Sequence, residues 1–189
     1  MSDASLPRTI AHRFTGEQVR FIETAEETKG KHLLIEVTLP AYGDGPPLHI
    51  HDEFEETFEC VHGQLTLSIG KKKVMLYRGD QIRVEKHIRH TFNNERPEPV
   101  IFRVKLTPPS RFEASIRIHY GLMNDGLTNR KGHPKSLLHT ALILSLQNTC
   151  ISGIPVLWQK KLLGYLIRKG RRKEAYKALT KCTGSSFNP

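Results

Sequence analysis

His49 and His51 stand two residues apart in the segment "GDGPPLHIHDEFEETFECVHG" (43–63), and on an extended strand imidazoles at that spacing project from one face. Glu56 follows five residues after His51, across a bend, where a returning strand can bring its carboxylate back to that face. A second segment, "GDQIRVEKHIRHTFNN" (79–94), offers His90 from a neighbouring strand. Three neutral imidazoles and one carboxylate form a borderline-soft, singly charged ligand set, suited to one divalent transition metal among Fe, Mn, Ni, Cu and Zn. Binding from one side of the ion would leave positions open for a substrate or for dioxygen. The competing reading is a barrel that has lost its metal and kept the polar residues, and the presence of all four side chains speaks against it.

The neighbours of this set divide by strand parity. Glu55 alternates with Glu56 and is expected to face solvent, as are most of the surrounding acids Asp52, Glu53 and Glu59. Phe58 and Cys60 share the parity of Glu56 and should point inward, Cys60 most simply as a small buried hydrophobe. With Phe92 and Phe102 they are the candidate substrate contacts, in a lining (Leu67 and Val84 included) that lacks a charged clamp. His87, three residues before His90, is either a proton-transfer group near the metal or an exposed turn histidine, and the turn is the plainer reading. His62 reads as a strand-end surface residue.

Two periods meet near residue 108, and the first positions the ligands. Leu33, Ile35, Val37 and Leu39 alternate with Leu34, Glu36 and Thr38, and the same pattern recurs at 65–69 and 100–106. Turn signals separate these runs at "YGDGPP", "HG", "GKKK", "RGD" and "NNERPEP". Many short strands at regular spacing predict an all-β sandwich or barrel. After "TPPS" (107–110) the alternation stops. A helix is expected over 111–124, and a mostly buried one over the Leu-rich 136–149. A basic amphipathic pair is expected over 155–169 and 172–182, around Gly170. The apolar stretch 137–158 approaches membrane-spanning length, but His139, Gln147, Asn148, Thr149, Gly153 and Pro155 fall within it. It is read as two helices packed on the barrel.

The two histidine segments resemble the cupin superfamily. The first matches the cupin pattern of Gly, five residues, His-x-His, four residues, Glu, six residues, Gly at Gly43, His49, His51, Glu56 and Gly63. The second is similar to the other cupin motif at Gly79, His90 and Asn94, departing where Glu85 replaces the customary proline and His87 the customary glycine. Residues 15–40 look like the lead-in strands of small bacterial cupins described as quercetin-dioxygenase-like. The resemblance covers about residues 15–107. It implies a mainly β fold, a cupin jelly-roll or double-stranded β-helix barrel over residues 1–108, with a C-terminal α-helical extension over 109–189. It also implies that His49, His51, Glu56 and His90 are the metal ligands. The activity implied is that of a metal-dependent oxidoreductase of dioxygenase type, with Glu56 shifting between ligand and proton acceptor. A binding module without turnover, or a sugar isomerase or epimerase, is the alternative, because one fold carries many chemistries.

Composition bounds the rest. The 189 residues, 38% hydrophobic and 25% charged, are ordinary for a globular protein of one core plus an appendage. The segment "MSDASLPRTIAHRF" lacks a signal-peptide pattern, and Cys60, Cys150 and Cys182 show no metal or redox spacing, so a reducing cytoplasm is expected. The net charge of +10 belongs to the tail: residues 156–189 hold nine Lys/Arg against Glu174, and the remainder 20 basic against 18 acidic groups. Trp158, Leu162, Leu163, Leu166 and Ile167 give that tail an apolar stripe, expected to pack on its own barrel or on a sister subunit in a homodimer. Anionic membrane surface is the alternative use of the stripe. No nucleic-acid readout motif accompanies the basic residues. The expected partner of the barrel is a small-molecule ligand or substrate.

Overall fold

The computed structural model describes residues 6–172. Apolar alternation becomes two antiparallel sheets laid face to face. The first contains β1 (Thr9–Ala11), β2 (Gln18–Glu23), β3 (Leu33–Leu39), β10 (Val100–Thr107), β5 (Glu55–His62) and β8 (Gln81–Val84), in that spatial order. The second runs β11 (Thr149–Ile151), β4 (His49–His51), β9 (His90–Asn93), β6 (Gln64–Ile69) and β7 (Lys72–Tyr77). Along β3, Leu33, Ile35, Val37 and Leu39 are buried while the residues between them are half-buried. Phe102 of β10 lies opposite Val37 on the inner face, and Arg103 opposite Glu36 on the outer face, bonded at 3.1 Å. Inner pairs drive the sandwich together by apolar burial, and outer charge pairs fix register.

Two backbone positions hold the strand ends that carry the site. Gly63 has φ +80° in the turn from β5 to β6, a conformation that a side chain disfavours. At Gly45 the constraint is space, since an added Cβ would lie 2.0 Å from the carbonyl oxygen of Phe92. That close approach brings the segment before β4 against β9. Asn94 completes the junction: its amide donates to the carbonyls of Pro40 and Glu98, both at 2.8 Å, and its Oδ1 accepts from the Arg96 N–H.

The expected change at residue 108 separates strands from helices, with an exception. The helices are α1 (Phe112–Asn124), α2 (Leu137–Leu146) and α3 (Val156–Arg172). Tyr120 and Met123 of α1 join the barrel core, while Ile118 and Leu122 pack with Leu142, Ile143 and Leu146 of α2. The helix expected over 136–149 is shorter than that reading: Ser136 caps it, Leu146 ends it, and Asn148 at φ +48° turns the chain into a strand. An asparagine in the left-handed region is a helix stop. The strand that follows, β11, belongs to the second sheet although it lies beyond residue 108.

Helix α3 runs unbroken through Gly170 to Arg172; the rest of the helix expected over 172–182 lies outside the described residues. Its apolar stripe divides. Leu163, Leu166 and Ile167 are partly buried, Ile167 against the α1–α2 cluster, whereas Trp158 is 75% exposed and Leu162 and Tyr165 are exposed too. Among the described residues, no helix is long and apolar enough to cross a membrane.

Candidate metal centre

His49 and His51 come from β4 and His90 from β9, directly opposite His49 in register. Glu56 comes from β5 on the facing sheet, so the two layers each contribute to one cluster. The four residues are between 2% and 6% exposed, and one ligand atom from each lies within 4.8 Å of the others. His49 Nε2 is 3.1 Å from His51 Nε2, His90 Nε2 is 2.7 Å from Glu56 Oε2, and His51 Nε2 is 3.6 Å from the same oxygen.

The outer nitrogens settle what these inner atoms are. His49 Nδ1 is 2.8 Å from the carbonyl oxygen of Pro47, and His90 Nδ1 is 2.9 Å from that of Ile88. His51 Nδ1 is 3.1 Å from Thr149 Oγ1, whose own hydroxyl donates to the carbonyl of Gln147. An acceptor on the outer side assigns the hydrogen to Nδ1 and leaves a lone pair on Nε2. Two lone pairs facing each other at 3.1 Å, beside a carboxylate, are repulsive without a cation. A proton shared between His90 and Glu56 would satisfy that pair and leave His49 against His51. Metal–nitrogen bonds of about 2.1 Å meeting at a right angle place donors about 3.0 Å apart, so the 3.1 Å spacing is one that two ligands of a single metal ion could have.

Burial reinforces this reading. It pushes the His49 imidazolium down to about 4, helped by His51 and His90, and it likewise lowers His51 against the pull of Glu56. Burial works to raise the Glu56 carboxyl, but the His90 hydrogen bond and the surrounding imidazoles outweigh it and hold the group ionised. His90 shifts the other way: burial lowers it, but its hydrogen bond and charge contact with Glu56 outweigh burial and raise it. Neutral His49 and His51 and an ionised Glu56 are protonation states a metal requires.

The other expected residues fall into place around the cluster. Phe58 is fully buried, with its ring centroid 6.3 Å from that of His90 and 6.0 Å from that of Phe92, and Phe102 lies 5.0 Å from Phe92. Cys60 is buried four residues along β5 from Glu56, about 13 Å away at strand rise, its thiol on the carbonyl of Gly63. Glu55 points outward to Arg83. His87 is 68% exposed and its imidazole meets Asp52 rather than the ligands. Its backbone explains the family pattern: φ is +65°, where a glycine is customary, and its N–H donates to the carbonyl of His51 at 2.8 Å. The turn thus survives the loss of both proline and glycine.

Three contributors were missed by sequence reasoning. Phe54 stacks on His51 at 4.2 Å, and Phe112 of α1 meets the same two rings edge-on. Thr149 holds His51 from behind. The signal for Thr149 was the polar run Gln147–Asn148–Thr149 closing an apolar helix, which has a reason only if the chain turns there.

Residues 35–106 match the family model of the cupin domain, and the two-sheet sandwich is a cupin jelly roll with C-terminal helices. Solved structures similar to this fold include a predicted oxalate decarboxylase from Thermotoga maritima, 18% identical over 57% of this chain and 96% of that one, with a TM-score of 0.47. A sugar phosphate isomerase of the cupin superfamily from Silicibacter pomeroyi is 19% identical over 51% of this chain and 62% of that one, with a TM-score of 0.45. The cupin domain of an XRE family transcriptional regulator from Enterobacter cloacae is 20% identical over 49% and 97%, with a TM-score of 0.43. No curated protein matches the chain.

Proposed function

We propose that this chain, which carries a cupin domain over residues 35–106, is a metal-dependent oxidoreductase of dioxygenase type acting on a small, largely apolar molecule. The observation that carries the reading is the convergence of His49, His51, Glu56 and His90 beside an interior wall of Phe58, Phe92 and Phe102. The bound ion would supply Lewis acidity and, if it is Fe, Mn, Ni or Cu, a redox partner for dioxygen. The chain's own residues do the rest. The three Nε2 lone pairs would hold the ion, and their Nδ1 hydrogen bonds fix the rings in that orientation. Glu56, ionised and buried, is the group able to take a proton from a substrate hydroxyl. Phe58 and Phe92 exclude water from that side. His87, turned to Asp52, has no step assigned to it.

Metal analysis of untagged protein is expected to give one transition metal per chain, severely reduced in His51→Ala. Oxygen uptake is then screened against flavonols and small diketones. A loaded protein that consumes no oxygen with any of them removes the dioxygenase assignment and favours the second reading, a binding module without turnover. The deep burial of all four ligands suits that reading as well. A sugar isomerase or epimerase is less favoured, because Glu56 is the only carboxylate among the described buried residues.

The proposal extends to a cytoplasmic homodimer. Cys60 and Cys150 are buried and unpaired, which suits a reducing compartment. A second copy would cover the apolar ridge of Leu157, Trp158, Leu162 and Tyr165, since monomers seldom expose such a patch. Sedimentation that finds one monomeric species at every concentration would remove the dimer.

A further inference from the structure

The three imidazoles are not held alike. His49 and His90 each lean on the backbone carbonyl two residues earlier, Pro47 just before β4 and Ile88 just before β9. Those acceptors belong to the main chain and no side-chain change can delete them. His51 depends instead on a side chain 98 residues further along, the Thr149 hydroxyl, in a strand that lies outside the matched cupin domain. We propose that Thr149 is a positioning residue of the metal centre, delivered by the C-terminal extension to orient His51 and complete the ligand set. The inference rests on the metal reading above.

Its geometry is built rather than incidental. Antiparallel pairing of β11 with β4 sets Thr149 directly opposite His51, Cys150 opposite Ile50 and Ile151 opposite His49. Thr149 is buried, and its hydroxyl both accepts from His51 Nδ1 and donates to the Gln147 carbonyl at 3.2 Å, so its orientation is fixed from both sides. The carbonyls of Asn148 and Gln147 face the same imidazole. The strand is clamped in turn: Gln159 of α3 accepts from the Ile151 N–H at 2.9 Å and donates to the Ile151 carbonyl at 2.8 Å. Lys160 meets Asp52, the residue after His51, at 2.5 Å. Partners that hold the far nitrogen of a ligating histidine fix its tautomer and ring angle, and losing one weakens metal binding roughly 10–100-fold. Linkage makes the coupling mutual, so an ion held by His51 also stabilises the seat of β11.

The test is competition titration of full-length protein with Co²⁺ and Zn²⁺ against a chelator, in the wild type, Thr149→Val and Thr149→Ser. Valine keeps the volume and strand propensity but has no hydroxyl; serine restores the hydroxyl. The expected result is affinity roughly 10–100-fold weaker in Thr149→Val, with a changed Co²⁺ absorption spectrum, and near-wild-type values for both in Thr149→Ser. Saturating Zn²⁺ should also slow hydrogen exchange at the β11 amides of the wild type. Unchanged affinity in Thr149→Val would mean that the Asn148 and Gln147 carbonyls suffice, and would overturn the assignment. A serine variant as weak as the valine variant would overturn it too. If Thr149→Val does not fold, Thr149→Ala against Thr149→Ser decides the matter, equal affinities counting against the proposal. A wild type that takes up neither metal would bring down the metal reading and this inference together, whereas tight wild-type binding with an indifferent Thr149 brings down this inference alone.

Discussion

Adjacent acids with opposite surroundings show how much one step along a strand decides. Glu56 is buried against His90 and His51, while Glu55 sits on the outer face with Arg83. Glu56→Gln should weaken metal binding by about tenfold or more, because it removes the one negative charge of the set. Glu55→Gln should leave binding almost unchanged, and equal losses in a paired titration would show that the parity is misread. His87 offers a second contrast at this scale. A side chain at φ +65° costs roughly 1–2 kcal/mol in the general case, less for residues such as histidine that visit this region more readily. Glycine would relieve that strain but add freedom to the unfolded chain. His87→Gly is therefore expected to change stability by no more than about 1 kcal/mol and to retain full metal content. Loss of metal in that variant would give His87 a part in the centre after all.

At the scale of elements, the strands were legible and the joins were not. Alternation at 33–39 and 100–106 translated directly into β3 and β10, because a two-sided pleat converts burial into a period of two. The convergence of His49, His51, Glu56 and His90 was legible for the same reason, with the family spacing adding Glu56 and His90. Residues 149–151 were read into a helix and its exit because three residues are too few to show a period, and their pairing with β4 depends on contacts 98 residues apart. Phe54 and Phe112 were missed likewise, since stacking on an imidazole leaves no local signature. One join away from the metal carries a pH signature. Tyr120 of α1 donates to Glu17, in the turn between β1 and β2, at 2.8 Å. Burial raises the Glu17 carboxyl above its ordinary 4.5, and the Tyr120 bond only partly offsets this. The folded state then binds more protons than the unfolded state just above pH 4.5, so the stability contributed by this group is full below that pH and declines as pH rises. Glu17→Gln keeps the acceptor and removes the charge. Its melting temperature should exceed that of the wild type by up to a few degrees at pH 7 and match it at pH 4. A difference that is the same at both values would sink this account.

On the scale of the whole molecule, the extension is part of the core as much as an appendage to it. Tyr120 and Met123 belong to the same buried cluster as the barrel's apolar side chains, and β11 covers the outer edge of β4. A chain ending at residue 108 should accordingly fail to give a metal-binding barrel, exposing a strand edge and an apolar face that invite aggregation. A monodisperse 1–108 fragment with full metal content would refute this. The same pairing sets an order of events during synthesis. His51 is made 98 residues ahead of Thr149, an interval on the order of 5–20 s at typical translation rates. Throughout it β4, three residues long, rests on its single pairing of His49 with His90 and on the His87 N–H bond to the His51 carbonyl, and on these only once residues 87–90 have been made. The ligand strand becomes a true interior strand only when β11 arrives. The cluster is thus complete only after β11 has been made, and until then the His51 imidazole has no hydroxyl to orient it.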